Sequence, residues 1–399
     1  MAEADPNAAS GAAPGQPGLC LAVRRLTLTD FRCYDSLRID VPPGPVVLAG
    51  PNGAGKTNIL EALSFLIPGR GLRRARLGEA ARREPDEAPD TVHRPWAVAA
   101  TVTGPDGETD LGTGLDIEAD KRVVRVDGEA QRAQAVLSRH MSLQWLTPQM
   151  DRLFLDGASA RRRFLDRLVY GRDAAHAGRI NGYEQAMRER LRLLTSRGGA
   201  DAGWLDALEA TMAEKGVAIA AARLDMAGRL AGQLDAAGDG PFPAADLAVE
   251  GEAEAWLAEG SALDAEDRLK QAFKDARGRD GEIGRTAHGP HRSDLYVEYK
   301  SRGRPAADCS TGEQKALLIS LVLAQARLQA AERGRAPILL LDEVAAHLDA
   351  DRRAALFDEI LRLGLQAWMT GTDADLFQPM AGRAAVFHVA DAGLALGDP

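Results

Sequence analysis

The chain has 399 residues, 45% hydrophobic and 27% charged, an ordinary balance for a soluble globular protein with core enough for two or three domains. No run of about 18 apolar residues occurs, so no membrane span is expected. Three widely spaced cysteines (Cys20, Cys33, Cys309) predict neither a disulfide framework nor a zinc site, and the net charge of −9 argues against a surface coated in nucleic acid while leaving room for a segregated basic face.

Residues 1–18 are mostly Ala, Gly, Pro and acidic residues, with no basic n-region and no apolar h-region. They are expected to form a flexible tail, not a secretory signal or a mitochondrial presequence. From 19 to 41 the alternation of Leu21, Val23, Leu26 and Leu28, then Leu37, Ile39 and Val41, predicts a hairpin. Its tip is Phe31-Arg32-Cys33-Tyr34. Arg32 and its aromatic neighbour either reach a nucleotide's base or α-phosphate or close the hairpin on its own sheet.

The apolar run Val46-Val47-Leu48-Ala49 then feeds Gly50-Pro51-Asn52-Gly53-Ala54-Gly55-Lys56-Thr57, and an amphipathic run over 58–67 leaves it. This strand–loop–helix fits G-x-x-x-x-G-K-[ST], the phosphate-binding loop of ATP-using proteins. Glycines let the backbone N–H groups face inward, and the helix adds the positive end of its dipole. Lys56 is placed to reach the β- and γ-phosphates, and the Thr57 hydroxyl to ligate Mg2+. Arg70, Arg73, Arg74 and Arg76 follow as a dense basic cluster, either a solvated face or a contact with a nucleic-acid backbone. Residues 95–103 and 111–126 alternate as strands, with glycine-rich turns expected at 104–107 and 112–114. Trp145-Leu146-Thr147-Pro148-Gln149 closes an apolar segment.

From about residue 158 the pattern turns helical, opening with Arg161-Arg162-Arg163-Phe164-Leu165-Asp166. Ile180, Tyr183, Met187, Leu191 and Leu194 mark one helix face. Leu205, Leu208, Met212, Ile219, Met226 and Leu230 mark a second, and Gly198-Gly199 joins the two as an antiparallel pair. Pro241-Phe242-Pro243 breaks the helices and a further helical stretch covers 253–277. Residues 158–284 therefore read as an all-α insertion between two α/β parts, 19–157 and 285–399.

The second α/β part begins with Arg285-Thr286-Ala287-His288-Gly289-Pro290-His291-Arg292-Ser293-Asp294, leading into a strand over 295–300. Ser310-Thr311-Gly312-Glu313-Gln314-Lys315 opens a helix that runs to about 332. A buried strand over 337–341 ends in Asp342-Glu343, Leu348-Asp349 begins another helix, and 367–370 and 384–389 read as the last strands.

An apolar strand ending in Asp-Glu, downstream of a phosphate-binding loop, fits the Walker B pattern. Asp342 is placed to hold the Mg2+ shell and Glu343 to orient or deprotonate the attacking water; otherwise the pair caps the next helix. Ser310-Thr311-Gly312 supplies a hydroxyl, free N–H groups and a dipole end, the parts of an anion site. By itself it is an N-cap with Glu313 in the first turn. In company with the other two segments it resembles the signature of ABC-type ATPases, Thr311 and Glu313 departing from Leu-Ser-Gly-Gly-Gln. That resemblance implies Gln149 as the Q-loop residue beside the metal and Asp349 as the D-loop residue. It also implies two copies facing head to tail, each ATP held between the phosphate loop of one and Ser310 and Gly312 of the other.

More specifically, the chain from about residue 20 resembles the RecF family of bacterial DNA replication and repair ATPases. The likeness rests on Leu28-Thr29-Asp30-Phe31-Arg32-Cys33-Tyr34, the phosphate loop, Arg161-Arg162-Arg163-Phe164-Leu165-Asp166, Gly289-Pro290-His291-Arg292-Ser293-Asp294-Leu295, the Ser310 segment and residues 341–349. The resemblance implies an α/β, ABC-type (SMC-like) ATPase head with one short all-α helical arm. It implies an ATP-dependent homodimer, slow DNA-stimulated ATP hydrolysis with Lys56 and Glu343 as catalytic groups, and binding of DNA at single-strand gaps. Family partners are RecR, RecO and RecA, with RecA loading, gap repair and SOS induction as the outcome, in the cytoplasm at the nucleoid. Two positions depart from the pattern: Ser293 stands where an acidic residue is common, and Thr370-Gly371-Thr372 offers no histidine at the switch position. For the DNA face the candidates are Arg70, Arg73, Arg74 and Arg76, and the run led by Arg161 and Arg162. The alternative is the ATPase subunit of an ABC transporter, which the long insertion and the missing histidine disfavour. An SMC-type tether would need a longer arm and a Cys-x-x-Cys hook.

Overall fold

A computed structural model describes residues 21–83, 87, 94–104, 107–196, 201–238 and 240–397; the expected tail at 1–18, Cys20 and the Gly198-Gly199 joint lie outside these. The chain opens with strands β1 (Ala22–Phe31), β2 (Tyr34–Asp40) and β3 (Val46–Ala49), then helix α1 (Lys56–Ser64). Strands β4 (Ala97–Gly104), β5 (Gly107–Asp116), β6 (Lys121–Val126) and β7 (Glu129–Gln131) follow, then the single turn α2 (Leu137–His140) and β8 (Leu143–Leu146). Next come α3 (Ala158–Tyr170), α4 (His176–Thr195), α5 (Ala202–Ala237), strand β9 (Ala245–Glu250), and helices α6 (Glu252–Glu259), α7 (Ala262–Asp275) and α8 (Arg277–Ile283). The last part holds β10 (Asp294–Tyr299), β11 (Arg304–Pro305), α9 (Thr311–Arg333), β12 (Ile338–Leu341), α10 (Ala350–Arg362), β13 (Ala367–Gly371), β14 (Ala385–Ala390) and β15 (Gly393–Leu396).

Three sheets result. One is antiparallel, in the order β2-β1-β4-β5-β6-β7; a second runs β15-β14-β3-β13-β12-β8, parallel except for β15; a third is β11-β10-β9. The central strands β3 and β12 are unbroken apolar runs and β13 is buried along its whole length, because the parallel sheet is covered on both faces. Val46, Leu48, Ile338, Leu340 and Trp368 face α1 and the antiparallel sheet, in a core with Leu26, Leu28, Ile59 and Phe65. Val47, Ala49, Leu339, Leu341 and Met369 face the opposite way, onto a core with α3, α9 and α10. Helix α9 is buried nearly all round, as a helix enclosed by sheet on one side and helices on the other must be.

Helix α5, about 54 Å long at 1.5 Å per residue over its 36 residues, ties the arm to the head. Met212, Ala213 and Val217 belong to the arm's own small core with Tyr183, Leu269 and Phe273. Met226, Leu230 and Leu234, further along, are part of the head core. One rigid element thus spans two cores.

The structure departs from the sequence reading in three places. Gly112 and Gly114 are not in a turn but inside β5, where a Cβ on Gly114 would lie 2.4 Å from the Trp96 carbonyl oxygen. Gly114 is glycine because β4 approaches too closely there for a side chain. The stretch read as wholly helical carries β9, which pairs antiparallel with β10 from Ala245↔Tyr299 to Glu250↔Asp294. Its alternating burial is that of a half-covered strand, but its partner lies beyond three intervening helices and leaves no local signal. After β14 the chain turns back once more as β15.

Candidate functional site

Four segments leave the parallel sheet at the same edge. Leu341 of β12 pairs with Leu146 of β8 and with Met369 of β13, and Gly371 pairs with Ala49 of β3. The residues at or just beyond these ends (Gly50 onward, Asp342-Glu343, Thr370-Gly371 and Thr147–Gln149) are thereby collected at the carboxyl ends of the strands, where open parallel sheets bind ligands.

The phosphate loop is built for a guest. Gly50 has φ +154° and a Cβ there would sit 2.1 Å from the Val389 carbonyl oxygen; Gly55, at φ +108°, would collide with the Tyr34 hydroxyl at 2.5 Å. Both glycines are therefore obligatory. Around Gly53 the space is open. The Lys56 ammonium donates to the Gly50 and Pro51 carbonyl oxygens at 2.7 and 2.8 Å, so it folds over the mouth of its own loop. Burial pulls its pKa down, partly offset by the negative charges of Glu343 and Asp342.

Opposite stands a chain of hydroxyls and carboxylates. The Thr57 hydroxyl donates to Asp342 Oδ1 at 2.9 Å, and the buried Thr370 hydroxyl donates to the same oxygen at 2.8 Å. Thr370 in turn accepts from the Glu343 N–H at 2.9 Å. Glu343 has φ +55°, a left-handed conformation that a glutamate adopts at a cost, and the Thr370 bond holds it there. A hydroxyl and a carboxylate side by side, next to a glycine-rich loop at a helix N-terminus, are the donor set for a hard divalent cation and a polyphosphate; ATP and Mg2+ fit the residues present.

Gln149 lies exposed on the turn Pro148–Arg152, three residues beyond Leu146, whose carbonyl accepts from the Asp342 N–H at 2.9 Å. Asp349 caps α10 through the Arg352 N–H. Ser310 caps α9 in a capping box: its hydroxyl accepts from the Glu313 N–H, while its own N–H and O–H both donate to the Glu313 carboxylate at 2.8 Å. Glu313 also pairs with Arg302, and the Gly312 carbonyl accepts from Arg352. Among the described residues these bonds tie the Ser310 turn to its own surroundings, and none reaches the phosphate loop. Lys315, one turn on, pairs with Asp151 at 2.9 Å and so links α9 to the Gln149 turn.

Several arginines serve roles other than those expected. Arg32 donates to both carboxylate oxygens of the fully buried Glu61 of α1, at 2.8 and 2.5 Å. Arg73 joins it there at 2.9 Å and also bonds Asn58, so it too is engaged. The signal was present: an acid among Ile59, Leu60, Ala62 and Leu63 must find cations. Arg161 is clamped bidentate to Asp294 at 2.8 and 2.7 Å, and Arg162 donates to the Ser293 carbonyl oxygen. Both are engaged within the protein. Arg70, Arg74 and Arg76 stay exposed. Burial and then the nearby charge of Arg74 lower the pKa of Arg163, the next residue of the Arg161 run.

The two most specific motifs meet at the foot of the arm. Asp166 accepts from His176 at 3.0 Å and from Arg223 of α5 at 2.8 and 2.9 Å, and Arg223 also donates to the Pro290 carbonyl oxygen at 2.6 Å. Burial pushes the Asp166 carboxyl up, but His176 and Arg223 outweigh it and the pKa ends below the ordinary range. The Tyr183 hydroxyl meets His291 Nδ1 at 2.7 Å. Ser293 donates to the buried Glu254 of α6 at 2.7 Å, which explains its identity: an acid at 293 would confront Glu254. Beneath them Arg167 stacks on Trp145, 4.3 Å from the ring centroid, with burial pushing its pKa down to about 9. None of these partners was legible in sequence, since each pair is brought together by the fold.

Residues 22–393 match the RecF/RecN/SMC N terminal domain. The chain is 50% identical over 365 residues to the DNA replication and repair protein RecF of Mesorhizobium japonicum, covering 91% of this chain and 94% of that one. To the protein of the same name from Caulobacter vibrioides it is 51% identical over 381 residues, covering 94% and 97%. A solved structure of the recombination mediator protein RecF-ATPrS in the RecFOR pathway superposes with a TM-score of 0.83 over 96% of this chain and 100% of that one, at 20% identity, a likeness of fold.

Proposed function

The chain belongs to the RecF family within the RecF/RecN/SMC proteins, and on that premise we propose that it is an ATP-dependent DNA-binding protein of recombinational repair and replication restart. Two copies pair head to tail on ATP at single-strand gaps, the nucleotide of each sealed by Ser310 and Gly312 of the other. Pairing, more than hydrolysis, is the output, and the slow ATPase resets it. RecO, RecR and RecA are the partners, RecA loading and SOS induction the consequence, and the cytoplasmic nucleoid the place. Among the described residues no helix is long and apolar enough to cross a membrane, and the relatives, named for DNA replication and repair, lend the transporter reading no support.

The observation that carries this reading is the bonded chain Thr57–Asp342–Thr370–Glu343 facing Lys56 across the phosphate loop. Lys56 and the loop N–H groups hold the β- and γ-phosphates; Thr57, Asp342 and Gln149 hold Mg2+, which when bound offsets charge on the transferred phosphoryl group. Glu343 orients the water and accepts its proton. In the same reading 19–157 and 285–399 form the head and 158–284 the arm, while Arg70, Arg74 and Arg76 contact DNA.

The test is the native mass with gapped DNA, with and without ATP, on wild type and Glu343→Gln. The variant is expected to hold the dimer while hydrolysis falls by about a hundredfold or more. An ATP-independent monomer in both would reject the reading.

A further inference from the structure

The Ser310 hydroxyl is committed before any facing copy arrives. It donates to the Glu313 carboxylate at 2.8 Å, so a phosphate oxygen seeking the same hydroxyl would meet an ionised carboxylate one hydrogen bond away. Two anions crowding one donor repel unless a cation lies beside them. The structure supplies that cation. Arg302, on the turn Lys300–Arg302 between β10 and β11, pairs with Glu313 and lies 5.2 Å from the centroid of the Tyr299 ring. Its side chain remains about half exposed, free to follow a docking surface, while that of Glu313 is mostly covered. Glu313 itself is held below the usual carboxylate range, first by the N–H and hydroxyl of Ser310 and then by Arg302 and Arg304, so its charge persists at neutral pH.

Building on the head-to-tail pairing proposed above, we infer that Arg302 is a positioning residue for nucleotide-dependent pairing. By neutralising Glu313 it lets Ser310 serve the triphosphate of a second copy instead of only capping its own helix. The turn that carries it is not isolated: β10 ends at Tyr299, beside it, and begins at Asp294, the partner of Arg161 at the foot of the arm. The arm and the signature turn thus share one short strand.

The experiment uses the full chain, Mg2+ and a non-hydrolysable ATP analogue. Dimer dissociation is measured by sedimentation, and nucleotide affinity of the single chain by fluorescence at dilutions below dimerisation. Arg302→Ala is expected to weaken the dimer about tenfold or more, since a two-fold pair carries the change twice, with single-chain affinity unchanged. Arg302→Lys restores most of it. Arg302→Ala combined with Glu313→Gln also restores pairing, because glutamine keeps the capping box without a charge to offset. Equal dimerisation of Arg302→Ala and wild type, or no rescue by Glu313→Gln, overturns the inference while leaving the proposed function standing. A wild type that never pairs with the analogue overturns the proposed function and this inference with it.

Discussion

The nucleotide pocket and the foot of the arm are built on opposite principles. At the arm the charged groups are paired with one another: Asp166 with His176 and Arg223, Arg190 with Glu209 and Asp280, Arg161 with Asp294, most of them buried. In the pocket the cation Lys56 rests on backbone carbonyls, its charge disfavoured by burial, and Glu343 is held in a costly conformation. A network of paired buried charges resists change and transmits movement. An unsaturated, strained one waits for a ligand. The contrast teaches where to look for energy: stability in the joint, responsiveness in the pocket.

The hardest break is at the joint. Asp166→Asn leaves Arg223 buried without its anion and should cost about 3–5 kcal/mol, seen as a clear fall in Tm, while nucleotide affinity of the single chain changes little. The same carboxylate carries a pH signature. The folded pKa of Asp166 lies below its unfolded value, so its contribution is full above the ordinary carboxylate pKa and disappears as the pH falls through the lower folded one. The wild type should therefore lose its advantage over Asp166→Asn only in acid, and a difference growing toward alkaline pH would contradict the assignment.

A smaller break belongs to the pocket. Thr370→Val removes the hydroxyl that bridges Asp342 and the Glu343 backbone. Turnover should drop about tenfold with little change in KM, and Thr370→Ser should recover it. An equal loss in both variants would assign Thr370 to packing. Smallest is the surface effect that separates spent from free arginines. Replacing Arg70, Arg74 and Arg76 with Ala should lower the salt slope of DNA binding by about one for each phosphate no longer neutralised, whereas Arg161→Ala should lower Tm and leave the slope intact. The reverse pattern would place DNA at the joint.

Much of the fold was written locally. The phosphate loop, the strand before Asp342, the cap at Ser310 and the helix stripes of the arm each need only neighbours in sequence, because glycine backbone freedom, capping and periodicity act over a few residues. The hairpin tip at Arg32-Cys33 was legible for the same reason. The family likeness then told how such parts are commonly assembled.

What no local pattern fixed was which charges would meet. Arg32, Arg73, Arg161 and Arg162 all looked available in sequence, and each was claimed by an acid or a carbonyl that folding delivered from another element. Thr370 read as an absent histidine until β13 was seated between β3, which leads into the phosphate loop, and β12, which leads into Asp342. Desolvation is the reason: a charge entering a covered surface must find a counterpart, and only the packed arrangement of distant segments determines which one.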